Sequence, residues 1–301
     1  MNQPAIPRQQ TTSMIFAAYE MELRLKRNAA VTWKAYADAR DRFLRWCGEA
    51  GLEPEEVGRR EMMAYFAGME ELAPSTVHKH FKTLHAAYRR AASTYKLIES
   101  DPTAGLPLPP IRRGRPFAFS AEDLRAIKAN ITRNQDWLAF HLLAYTGMRV
   151  IEMRRLAWAD VNLKANMLRV TGKRTRRGDD EREVPIHPAL RVVLLAANYH
   201  LGEYVLPGRK SGLSGEMLGE TQAVQYIARN IPPSVHHPRG DVCHPIRRSV
   251  ASNLRRNGVD TDTIDKLLGW APTSLRADRY MAYESDDLSS AILRLWSDDP
   301  L

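Results

Sequence analysis

Residues 244–270 read HPIRRSVASNLRRNGVDTDTIDKLLGW. Gly258 reads as the end of one helix, and Thr261 to Leu268 as a second helix stopped at Gly269. His244 and Arg247 are three positions apart, so on a helix they share a face and can converge on one group. An imidazole beside an always-charged guanidinium suits a phosphate. The same pair also fits a capping His and a solvated Arg. Helical spacing of this kind governs most of the chain and makes the expected fold class mostly α.

Upstream, residues 146–161 read TGMRVIEMRRLAWADV. Gly147 can end one helix and Arg149 then opens the next, with Glu152 one turn on. A helix start favours an anion, and a guanidinium there adds two-pronged donors to phosphate oxygens. An Arg beside a helix break is also ordinary surface. Helices are predicted over 120–131, opened by the capping-box-like Ser120-Ala-Glu-Asp123, and over 134–146 and 149–157. MLRVTGK (167–173) and EREVPI, ending at Ile186, alternate like the strands of a small antiparallel sheet, with a polar, Gly-containing loop between them. Helices resume from 188, broken over 201–218 and 231–243. Near the end, Leu288, Ile292, Leu295 and Trp296 form an amphipathic stripe.

The first part of the chain is helical too. Met14, Ala17, Ala18, Met21 and Leu25 suit one face of a first helix. Tyr36, Ala39, Phe43 and Trp46 make the stripe of a second, with Thr32 placed to cap it. Pro54 to Gly68 reads as a short third helix with Pro54 in its first turn. In a fourth, capped by Ser75, Val77, Phe81, Leu84 and Tyr88 form the apolar face. His78, Lys79, Lys82, His85 and Arg89 lie beside it, on a face that is either solvated or laid against a DNA groove. DPTAGLPLPPIRRGRPF (101–117) is too rich in Pro and Gly for helix or central strand and reads as an extended linker. The expected organisation is a flexible N-terminus over 1–11, a helical domain over 12–104, a linker over 105–117 and a second domain over 118–301.

Composition narrows the partners. Lys and Arg outnumber Asp and Glu by 44 to 35, a formal charge of +9, which points to nucleic acid or an anionic membrane surface. The two cysteines, Cys47 and Cys243, are far apart, which argues against a disulfide framework and fits a reducing cytoplasm. No secretory h-region opens the chain, and no stretch approaches the about 20 apolar residues of a membrane span. No Gly-Lys-Ser/Thr phosphate loop is present. His236, His237, Cys243 and His244 cluster, but not with the paired spacing of zinc frameworks. Neither a metal nor another cofactor is expected.

The ordered set Gly-x-Arg, Gly-Lys hairpin, His-x-x-Arg, Leu-Gly-Trp and Tyr resembles the tyrosine recombinases, or phage integrases, from about residue 12 to 297. TGMRVIEMRRLAWADV, LRVTGK with EREVPIHP, HPIRRSVASNLRRNGVD and LLGW with Tyr280 carry the resemblance. PSTVHKHFKTLHAAYRRA and DPTAGLPLP look like the same family's helical core-binding domain. The resemblance implies an N-terminal four-helix core-binding (SAM-like) domain. It also implies a mainly α catalytic domain with a small antiparallel β-sheet, the two forming a C-shaped clamp on duplex DNA. By the same resemblance Arg149 and Arg247 would clamp the scissile phosphate, Lys173 would protonate the leaving 5′ oxygen, and His244 would assist proton transfer. Trp270 would hydrogen-bond the phosphate, Tyr280 would be the nucleophile, and Glu152 would support Arg149. Lys79, Lys82, Arg89, Arg112, Arg113 and Arg174 are the expected DNA contacts. The expected assembly is a homo-oligomer on DNA, a tetramer, in which the C-terminal helix docks on a neighbouring protomer.

Such chemistry is physically reasonable for these residues. A phosphorane-like state gathers negative charge that fixed cations stabilise, and a Tyr hydroxyl of pKa about 10 needs a positive site or a proton acceptor. Trp270 stands where many members have His and can only donate a hydrogen bond, so proton transfer rests on His244 and Lys173. Arg174, Arg176 and Arg177 share the hairpin with Lys173, and Tyr283 is an alternative nucleophile. The competing functions are a non-catalytic DNA-binding protein on this scaffold and a type IB topoisomerase-like relaxing enzyme.

Overall fold

The computed structural model describes residues 13–26, 30–111, 116–172, 181–197, 202–208, 217–237, 240–270 and 285–301. The chain divides into two compact units, Met1–Gly114 and Arg115–Leu301.

The first unit holds α1 (Met14–Leu25), α2 (Ala30–Ala50), α3 (Arg59–Ala67) and α4 (Pro74–Ser93). Its core is aromatic: Phe16, Tyr65 and Tyr88 pack around Phe43, with Tyr65 and Tyr88 meeting it edge-on at 4.9 and 5.8 Å. That geometry places positive ring edges on negative ring faces. The buried Tyr88 hydroxyl donates to the Pro54 carbonyl at 2.7 Å.

Four expectations change here. On α1 the core-facing residues are Ile15, Phe16 and Leu23, whereas Met14, Met21 and Leu25 are exposed. α2 begins at Ala30, ahead of Thr32, which therefore is not its cap. The third helix is split into a single 3-10 turn at Pro54–Glu56 and α3, because Val57 and Gly58 are extended. α4 starts two residues early, with Ala73 rather than Ser75 as its N-cap and Pro74 in the first turn, where proline's missing N–H is harmless. The proline-rich segment opens with a turn over 102–105 rather than running extended from its start, and Leu106 and Leu108 pack against this unit's core.

The second unit opens with α5 (Ala121–Ala129), whose N-cap Ser120 accepts from the Asp123 N–H. It continues through α6 (Asn134–Thr146), α7 (Val150–Arg155), β1 (Val161–Asn162), β2 (Met167–Thr171), β3 (Glu181–Pro185), α8 (Pro188–Ala197) and α9 (Glu220–Ala228). α10 (Cys243–Arg256), α11 (Thr261–Leu268) and α12 (Ser285–Leu293) complete it. The antiparallel sheet has the order β1-β2-β3, with Leu168 opposite Val184. The expected hairpin is present, with a two-residue third strand too short to show a period. α6 is buried almost all round, carrying Leu138, Phe140, Leu142 and Leu143 into the core. Among the described residues no helix is long and apolar enough to cross a membrane.

The C-terminal stripe lies on its own unit. Leu288, Ile292, Leu295 and Trp296 belong to the same core cluster as α6. Trp296 takes a left-handed φ of 59°, and its indole N–H donates to the Ala144 carbonyl at 2.9 Å. Its backbone N–H donates to Asn253 Oδ1 at 2.7 Å. Docking on another protomer therefore requires this stripe to leave its own core first, which differs from a tail free to exchange. Trp296→Ala is expected to destabilise the second unit by about 3 kcal/mol or more, read from urea unfolding. A loss below about 1 kcal/mol would mean that the contact is dispensable.

Candidate active site

Two glycines at helix ends build the frame. Gly147 closes α6 at φ 60°, and a Cβ there would lie 2.5 Å from Leu268 Cδ2 and 3.2 Å from Val250 Cγ1. Only glycine lets α6, α10 and α11 approach so closely in this left-handed conformation. Gly269 closes α11 at φ 64°. The Gly269 N–H donates to the Lys266 carbonyl at 3.2 Å and the Trp270 N–H to the Asp265 carbonyl at 2.8 Å. This paired bonding is a Schellman turn, and it fixes where Trp270 leaves the helix.

The arginines hang on the carbonyls of those helix ends. Arg247, on α10, is 1% exposed and donates to the carbonyls of Gly147, at 2.7 Å, and Leu268. Its guanidinium carbon lies 5.3 Å from the Trp270 ring centroid, a cation–π distance. Arg149, the N-cap of α7, donates to the Gly269 carbonyl at 3.0 Å and to Glu152 Oε1 at 2.7 Å. Its side chain is 36% exposed, so it reaches solvent where Arg247 does not. Both arginines, Glu152 and Trp270 are thus gathered at one place.

Glu152 is the hub. Its carboxylate is fully buried and receives the Arg149 backbone N–H at 2.8 Å. Arg182 Nη1 and Nη2 reach its two oxygens at 3.1 and 2.8 Å, and Arg247 Nη1 stands 3.9 Å away. Burial alone pushes this carboxyl up, but the hydrogen bonds and charge of Arg182, then Arg149, hold it below the usual range. Arg182 was not among the residues picked out from the sequence. The available signal was its alternation with Val184 on the buried face of β3, a charge where an apolar residue is ordinary.

His244 is exposed at the start of α10, one turn before Arg247. Asp241 anchors that turn, accepting the N–H groups of Cys243 at 2.9 Å and His244 at 3.1 Å. Partial desolvation of the imidazole, then the cations Arg248, Arg247 and Arg149, push His244 down against the opposing pull of Asp241. A neutral imidazole there can accept a proton. His236 instead meets the Phe117 ring edge-on at 6.4 Å.

Other expected residues sit apart or out of view. β2 ends at Thr171 rather than 173, and Lys173 and Arg174 lie outside the described residues, as do Arg112, Arg113, Tyr280 and Tyr283. Lys79, Lys82 and Arg89 are exposed on α4 of the first unit. Their neighbours on that face are occupied: His78 Nε2 donates to the Pro109 carbonyl at 2.9 Å. His85 stacks on Phe81 with centroids 5.2 Å apart and lies 2.7 Å from the Thr103 hydroxyl.

Comparison with known proteins gives the arrangement a context. A model of the phage integrase family matches residues 119–285, more than half of the chain. The tyrosine recombinase XerD of Lacticaseibacillus casei is 26% identical over 265 residues, 82% of this chain and 86% of that protein. XerC of Erythrobacter litoralis is 28% identical over 216 residues, 68% of this chain and 67% of its own. Among solved structures, a lambda integrase dimer bound to a COC′ core site superposes with a TM-score of 0.69 at 20% identity, covering 90% of this chain and 98% of that one. XerH bound to its difH substrate gives 0.63 at 17%, covering 86% and 78%. The likeness to these structures lies in the fold. The chain belongs to the phage integrase family, the tyrosine recombinases.

Proposed function

We propose that this chain is a site-specific DNA recombinase that cleaves and rejoins duplex DNA through a 3′-phosphotyrosine. The observation that supports it best is the convergence of Arg149 and Arg247 on the buried Glu152, with Trp270 against Arg247. In this reading the two guanidiniums bind the non-bridging oxygens of the scissile phosphate, and the Trp270 indole N–H donates to it. The Tyr280 oxygen attacks phosphorus and loses its proton, which neutral His244 helps to carry. The bond to the 5′ oxygen breaks, and Lys173 protonates that oxygen. A second 5′-hydroxyl then attacks the phosphotyrosine and restores the DNA, so no external energy source is needed.

Lys79, Lys82 and Arg89 would meet the DNA from the first domain, with Arg112, Arg113 and Arg174 from the linker and hairpin. The working form would be a tetramer on DNA, with α12 passing between protomers after leaving its own core. Two buried free cysteines, Cys47 and Cys243, fit a reducing cytoplasm.

The test is a duplex carrying a nick near the cleavage position, which traps the covalent intermediate. A protease-sensitive protein–DNA adduct is expected on a denaturing gel. Binding without any adduct would favour the non-catalytic rival, and relaxation of supercoils without joining of two sites would favour a topoisomerase.

A further inference from the structure

We propose that Arg182 is a positioning residue for strand cleavage: from β3 it fixes Glu152, through Glu152 the guanidinium of Arg149, and at the same time the end of α11 that carries Trp270. The inference rests on the strand-transfer reading of the site and concerns how its phosphate-binding groups are held.

Arg182 is itself buried, and each of its three guanidinium nitrogens donates a hydrogen bond. Nη1 and Nη2 meet the two oxygens of Glu152 in a fork at 3.1 and 2.8 Å. Nε donates to the Leu267 carbonyl at 2.9 Å. Gly269 leaves room for it, since a Cβ there would stand 2.8 Å from Arg182 Nη1. Glu152 in turn presents Oε1 to Arg149 at 2.7 Å. One side chain therefore ties the hairpin strand to the N-terminus of α7 and the C-terminus of α11.

This arrangement has a consequence for charge. Arg149 from the start of α7, Arg182 from β3 and Arg247 from α10 face the Glu152 carboxylate. Arg182 alone meets both oxygens by side-chain donors. Without it the carboxyl titrates at higher pH, and Arg149 loses a fixed acceptor. Lysine, a single point charge, cannot supply two parallel bonds and the Leu267 contact together. A misplacement of about 1 Å at a reacting group costs on the order of 100-fold in rate.

The experiment is single-turnover cleavage of the nicked duplex under protein excess, at a temperature where every variant is folded. It compares the wild type with R182M, R182K, E152Q and the double variant R182M/E152Q. R182M is expected to cleave about 100-fold more slowly with DNA affinity changed less than about threefold, and R182K to recover part of the rate. As pH is lowered, R182M should lose its remaining rate at a higher pH than the wild type. The double variant should be no slower than the slower single one, because both act on one path. If R182M does not fold, R182K carries the same comparisons. Losses that multiply in the double variant, a rate reduced equally at every pH, or an affinity loss equal to the rate loss would overturn the assignment. A wild type that forms no adduct overturns the strand-transfer reading. A wild-type adduct with unchanged rates in the Arg182 variants overturns this inference alone.

Discussion

Tyr280→Phe is expected to abolish the covalent adduct on the nicked duplex completely, while Tyr283→Phe leaves it in place. Phenylalanine keeps the ring but removes the one oxygen that could form the phosphate ester, so no reduced pathway through that side chain remains. Duplex binding should persist, because the charges held by Arg149 and Arg247 do not depend on the phenol. The readout is a denaturing gel of labelled DNA, with a gel shift as the binding control. An adduct that survives in Tyr280→Phe and disappears in Tyr283→Phe would transfer the nucleophile to Tyr283.

Arg247→Met is expected to slow cleavage by roughly 100- to 1,000-fold, the scale for removing a preorganised donor to a developing anion. It should also lower the stability of the second unit by about 2–4 kcal/mol, because two buried carbonyls lose their donor. Those carbonyls belong to Gly147 and Leu268. Arg247→Lys keeps the charge but cannot serve both at once, so it should recover stability better than rate. Arg149 gives the contrast: it is 36% exposed, and its loss should reduce cleavage with a smaller effect on unfolding. Single-turnover rates and urea unfolding separate the two effects. A rate within tenfold of wild type in Arg247→Met would remove Arg247 from the phosphate clamp.

Helix ends were legible in the second unit, where Ser120, Gly147 and Gly269 mark them by local chemistry, but less so in the first, where α2 and α4 run past Thr32 and Ser75. Faces were harder. MIFAAYEMELRL carries two apolar stripes, and only tertiary packing decides that Ile15, Phe16 and Leu23 turn inward while Met14, Met21 and Leu25 do not. Similarly, period 3.6 finds the stripe of Leu288, Ile292 and Leu295 without saying which copy of the chain it meets. In the site, Arg149, His244, Arg247 and Trp270 were readable from order and spacing. Arg182 was not, since its significance lies in Glu152, 30 positions away, and no local pattern encodes that pairing.

The carbonyls that hold the arginines come from the C-termini of α6 and α11, the negative ends of two helix dipoles. They steady the guanidiniums without cancelling them. Within the network three positive groups face one carboxylate, so an excess of like charge is packed together when the chain folds. That electrostatic cost is met in the free chain, and under the proposed strand-transfer reading a phosphodiester entering the cluster would relieve it. Anion binding at this cluster would therefore be linked to folding of the unit: an occupant acts as a ligand of the folded state and stabilises it by an amount that rises with the logarithm of its concentration above Kd.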